Sequence, residues 1–117
     1  MALNNIGYVL ADADKLTADA LPLLERAVKL EPRNGIVVDS LGWAHYRLRH
    51  LPEAARLLRL AVKRAPNEAE IAYHLGVVYA ALGRTAAARA QFRRAVKHNP
   101  AFIPARAALR ALERKLK

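Results

Sequence analysis

The 117-residue chain carries 20 Lys and Arg against 10 Asp and Glu, a formal charge of +10, with 54% hydrophobic and 26% charged residues. That length holds one modest continuous core, and the mixture is too apolar for a disordered chain. Without cysteine there is no disulfide framework, thiolate metal site or thiol catalysis; no apolar run approaches the roughly 20 residues of a membrane span, and the opening MALNNIGYVLADAD lacks a signal peptide's basic start and apolar centre.

Apolar residues at helical spacing, interrupted by Gly and Pro, predict seven helices. The first is expected near 2–12 and carries Leu3, Ile6 and Leu10. The second, near 17–30, carries Ala20, Leu24 and Ala27; Pro22 fits if Thr17 or Asp19 caps it and leaves the proline near the first turn. Helices near 35–48 and 52–64 follow, with Val38, Leu41 and Gly42 on one and Ala54, Leu58 and Ala61 on the other. Asn67 with Glu70 reads as a capping box opening the helix near 69–82, whose stripe is Ile71, Leu75, Val78 and Leu82. Gly83 ends it, and Thr85 is placed to cap the next, near 86–97, with Ala88, Phe92, Ala95 and Val96. Arg49 occupies the place of Gly83 one period earlier, so it carries strain if that place is left-handed. Pro66 and Pro100 close the helices before them. The last helix, near 102–115, sets Leu109, Leu112 and Leu116 on one face and Arg106, Arg110, Arg114 and Lys117 elsewhere, as a terminal cap with a solvated back requires.

Four features share one step of 34 residues: Pro32, Pro66 and Pro100; Ala20, Ala54 and Ala88; Ala27, Ala61 and Ala95; Leu41-Gly42 and Leu75-Gly76. In the first unit Ile6-Gly7 sits one residue early. Small residues at Gly42, Gly76, Ala54 and Ala88 let paired helix backbones approach closely.

This period resembles the tetratricopeptide repeat, with its pattern W-x2-L-G-x2-Y, then A-x3-F, then P. The third unit follows it most fully, with Ala72, Leu75, Gly76, Tyr79, Ala88, Phe92, Ala95 and Pro100. In the second, His45 stands where tyrosine is usual, and Tyr46 is placed to take over part of that packing. The resemblance covers about residues 2–101. It implies an all-α solenoid: three helix-turn-helix units at about 1–34, 35–68 and 69–102, plus a C-terminal capping helix at about 102–117, in a single domain over 1–117. No cap precedes Leu3 and Ile6, so the chain is expected to be a segment of a longer repeat protein. LNNIGYVLAD and DSLGWAHYRLRH are also similar to repeat blocks of larger bacterial envelope-associated proteins. A cytoplasmic or periplasmic part of such a protein is the expected setting.

An enzyme is hard to build from these residues. His45, His50, His74 and His98 include no pair three or four apart on one helix and no acidic partner at ligand spacing, so no metal site is expected. Gly7, Gly35, Gly42, Gly76 and Gly83 form no phosphate loop, and no cofactor is expected. No Ser or Thr stands beside a sequence-evident base, and the carboxylates are read as lying in caps and exposed turns.

The groove is the stronger candidate. In a stack of such pairs the first helices line the concave face. The second unit offers Ile36, Asp39, Trp43 and Tyr46 with Arg47 beside them; the third offers Glu70, Tyr73 and Val77 with His74 adjacent; the first offers Asn4 and Tyr8. Four of seven aromatics thus converge on one expected surface, and such side chains bury area at low entropic cost. The bland alternative is that Trp43 and Tyr73 pack between units. Some members of the resembled family clamp a peptide's C-terminal carboxylate with Lys, Arg and Asn on these helices; here Asn4, Tyr8, Asp39, Ser40, Glu70 and His74 leave that clamp largely missing. The expected ligand is a peptide or protein segment held by aromatic and apolar contacts, with Asp39, Arg47 and Glu70 setting its orientation.

The charge supports a competing reading. Residues 1–34 net −1, residues 35–68 net +3, residues 69–102 net +4 and residues 103–117 net +4. Fourteen Arg against six Lys fits a GC-rich bacterial coding bias as well as an anionic partner. Arg56, Arg59, Lys63, Arg89, Arg93, Arg94 and Lys97 fall on second helices, the outer, convex side. RNA or another polyanion is the less favoured partner, because the stacking aromatics lie on the opposite face. An anionic membrane surface or acidic protein also suits a basic back. Self-association through the uncapped first helix is the remaining expectation.

Overall fold

The computed structural model describes residues 14–115. Within them the chain forms six helices and no strand: α1 Asp14–Leu30, α2 Gly35–Arg47, α3 Leu51–Arg64, α4 Ala69–Ala81, α5 Thr85–His98 and α6 Ile103–Lys115. The helix expected near 2–12 lies outside the described residues. The others fall where the periodicity puts them, and the all-α helical-repeat solenoid is the observed fold.

α2 pairs with α3 and α4 with α5; α1, α3/α4 contacts and α6 carry the stack from one pair to the next. Leu58, Leu75, Val38 and Val78 are the largest fully buried side chains. Each stabilises the fold by about 1.5–3 kcal/mol relative to exposure. They come from α2, α3 and α4, so the core runs through both pairs rather than closing within each. Close approach within a pair depends on two glycines. A Cβ at Gly42 would stand 2.9 Å from Leu58 Cγ, and one at Gly76 only 2.5 Å from Phe92 Cε1. α6 seats on a patch of small side chains, Ala69, Ala72, Ala95 and its own Ala105, with Tyr73 and Phe102 beside it.

Three local expectations are corrected. Pro22 is not near a first turn: α1 begins at Asp14 and contains it in its interior. Ala18 and Pro22 both face water, so the carbonyl freed by the missing amide can be hydrated. Asn67 is not the cap of α4. Glu68 is, at φ −86° and ψ 106°, with no side-chain bond, and Asn67 stands one residue too early. Thr85 is the first residue of α5 rather than its cap, which is Arg84. The side-chain cap that does form is Asn34 of α2, one period before Glu68, whose Oδ1 accepts from Ile36 N at 3.0 Å and Val37 N at 3.3 Å. The strain expected at Arg49 is present: its φ is 66°, matching 77° at Gly83. Among the described residues no helix is long and apolar enough to cross a membrane.

Candidate functional site

α2 and α4 occupy equivalent places in successive pairs and touch each other directly. Across their contact the structure builds one polar and aromatic cluster. The Trp43 ring stacks on Tyr46 of its own helix, with centroids 4.6 Å apart and planes inclined by 25°. Its other neighbour is His74 of α4, at 4.0 Å and 23°. His74 Nδ1 in turn bonds Asp39 Oδ1 of α2 at 2.8 Å, and Glu70 Oε1 lies 3.8 Å from its Nε2. Asp39 and His74 are each only 8% exposed, whereas Trp43, Tyr46 and Arg47 are half-buried. The buried pair is thus spent on itself, and the accessible faces belong to the aromatics.

The sequence reading of the histidines is corrected here. His74 has two carboxylates beside it, one four residues upstream on its own helix and one 35 residues away. Asp39 is likewise buried mid-helix, not in a cap or turn. The spacing of one period plus one residue was the available signal, since it sets two residues at nearly the same height on facing stripes. Among the described residues no group of three potential ligands is arranged for a metal.

Tyr73 belongs to a neighbouring cluster. Its ring meets Phe102 edge-on at 5.5 Å and lies 5.9 Å from Phe92, bracing α4 against α5 and the start of α6. Burial, helped by Tyr46, pushes its phenol above the ordinary value. Ile36 and Glu70, at the outer ends of the stripes, are exposed, and Val77 is half-buried. Asn4 and Tyr8 lie outside the described residues. Beyond Tyr46 the surface falls into an open, largely apolar groove of about 410 Å3, lined by Val77, Ala80, Phe92, Ala108 and Leu112 with Lys115 at its edge. Trp43, Tyr46, Asp39 and His74 are therefore brought together, and Tyr73, its ring 6.0 Å from that of His74, joins them to the contact with Phe92 and Phe102.

Sequence reasoning missed a second histidine pair. His45 Nδ1 and His50 Nδ1 are 3.1 Å apart at the turn between α2 and α3, within hydrogen-bond distance. Burial holds the His45 pKa below its ordinary value, against the attraction of Glu53. Of the basic side chains expected on the outer side, Arg56 is paired with Glu53, and Arg94 reaches back to the Pro66 carbonyl at 3.3 Å. Arg59, Lys63, Arg93 and Lys97 are exposed.

A family model described as tetratricopeptide repeat matches residues 40–102. The chain belongs to the tetratricopeptide repeat family. TPR repeat-containing protein PA4667 of Pseudomonas aeruginosa is 45% identical over 76 residues, 65% of this chain and 13% of that protein. The tetratricopeptide chain thus spans a small part of that relative's length. Among solved structures, the first TPR of Spaghetti (RPAP3) bound to the HSP90 peptide SRMEEVD has a TM-score of 0.85 at 20% identity, covering 98% of this chain and 90% of that one. PcrH in complex with the chaperone binding region of PopD has a TM-score of 0.84 at 20% identity, covering 99% and 92%. At that identity the likeness is one of fold.

Proposed function

We propose that this tetratricopeptide chain is a non-catalytic protein-interaction scaffold, acting as one domain of three units and a closing helix, that holds a peptide or protein segment along its concave, aromatic-lined groove. The observation that carries this reading is the Tyr46–Trp43–His74 stack, fixed from behind by Asp39. An aromatic side chain held rigidly and only half-buried loses little entropy when a partner covers it, which is why Trp and Tyr concentrate binding energy. Trp43 and Tyr46 make the main contacts, with Arg47 and Tyr73 beside them. Asp39 and His74 act through Trp43 by orienting its ring. The solved relatives of this fold, one with an HSP90 peptide and one with a region of PopD, support a segment-binding groove.

Selection of a phage-displayed random peptide library on the immobilised chain tests the proposal, with a Trp43→Ala/Tyr46→Ala variant as counter-target. The expected result is a peptide consensus that is retained by the native chain and bound at least about 30-fold more weakly by the folded variant, the scale of a binding hot spot of about 2 kcal/mol. A consensus held equally by both would refute the groove.

A further inference from the structure

A second surface lies on the far side of α6. Arg106, Arg110 and Arg114 are exposed and follow one another at four-residue steps, so they form a row rising about 6 Å per step. With Val96 of α5 and Leu109 and Glu113 of α6, they line an open cleft of about 580 Å3. The groove beside Tyr46 uses Ala108, Leu112 and Lys115 of the same helix. At about 100° per residue, the two sets point to opposite sides of α6. The cleft is therefore distinct from the aromatic groove.

Like charges four residues apart on a helix repel, and a surface kept only for solubility gains by interleaving the two signs. This row does the opposite. Arg106 Nη1 donates to the Pro100 carbonyl at 3.1 Å, which aims its guanidinium. Glu113, the one carboxylate of the cleft, has Arg93 Nη2 at 3.8 Å. Arg110 and Arg114 make no ion pair among the described residues. The cleft thus presents guanidiniums in surplus above an apolar floor of Val96 and Leu109.

Both features must be matched by the occupant. A single-stranded nucleic acid would satisfy the row, yet no aromatic side chain lines the cleft for its bases to stack on. A flat anionic bilayer would meet the exposed arginines and leave the recessed floor uncovered. A helix with carboxylates at four-residue steps and leucine-like side chains on the adjoining face satisfies both at once, because two helices side by side share the same repeat. Carboxylates also accept the paired N–H groups that a guanidinium offers. We propose that the cleft between α5 and α6 docks an acidic amphipathic helix of a partner protein, with Arg106, Arg110 and Arg114 reading its carboxylates and Val96 and Leu109 its apolar edge.

The probe is a fluorescein-labelled synthetic helix with glutamates at four-residue steps and leucines beside them, titrated against the full chain by anisotropy. Saturable binding is expected, weakened about tenfold or more by Arg110→Glu/Arg114→Glu and also when serines replace the peptide's leucines. Arg59→Glu/Lys63→Glu on α3 makes the same change in net charge and is expected to leave the affinity unchanged. Arg110→Gln/Arg114→Gln, with helicity followed by circular dichroism, gives the same reading should the charge reversal disturb α6. The proposal is overturned if the peptide fails to bind, if its affinity survives loss of the two arginines or of its leucines, or if the α3 pair matters equally. Tighter binding of oligouridylate RNA or phosphatidylglycerol vesicles than of the peptide would overturn it as well.

Discussion

At Arg49 the backbone is left-handed, φ 66°, and one period later Gly83 repeats the conformation at φ 77°. A Cβ built on Gly83 meets nothing within 4 Å, so Gly83→Ala isolates the backbone cost. It is expected to lower stability by about 1 kcal/mol, whereas Arg49→Gly raises it by up to about 1 kcal/mol, the strain relieved less the entropy of the new glycine. Urea midpoints at unchanged m-value measure both. Asp39→Ala belongs to this scale too. It leaves His74 Nδ1 buried without its acceptor, which costs about 1–3 kcal/mol, and it frees the imidazole stacked on Trp43. A shift in the emission of Trp43, the single tryptophan, would accompany the loss of stability. The left-handed place was legible in the sequence because a glycine marks it one period on. The Asp39–His74 bond was legible only in its spacing of one period plus one residue, because neither residue type signals burial.

The elements were the most legible level. Their apolar stripes and the recurring Leu-Gly pairs survive because each stripe must face a neighbouring helix. The caps were less legible: α3, α4 and α5 start without a side-chain cap bond. Tertiary packing, rather than a local cap, sets where they begin. Gly76 tests that packing. With Phe92 Cε1 2.5 Å from an added Cβ, Gly76→Ala forces the ring or the helix to move and is expected to cost about 1–3 kcal/mol by thermal melting. The α2–α3 turn adds a pH dependence. The folded chain favours neutral His45, so the unfolded chain takes up its proton first as pH falls. Stability is therefore full above the unfolded pKa of 6.5 and declines as pH drops below it toward the lowered folded value. Urea midpoints at about pH 7.5 and about pH 5.5 should show this fall, and His45→Gln should reduce it.

Across the whole molecule the positive charge rises from the first unit to the last helix, while Trp43 and Tyr46 gather with His74 where α2 faces α4. The charge excess by itself suits an anionic partner. In the folded chain part of it is already engaged, at Arg56 and Arg94, and the row of Arg106, Arg110 and Arg114 lies across α6 from the groove. The two surfaces proposed for recognition lie on opposite sides of one helix. The most direct measurement of the central claim is a fluorescence titration of Trp43 with a peptide selected on the native chain, run beside calorimetry. The account predicts a saturable change in emission at the calorimetric affinity, with Tyr46→Ala weakening binding about tenfold or more. Calorimetric binding with unchanged Trp43 emission and full affinity in Tyr46→Ala would contradict it.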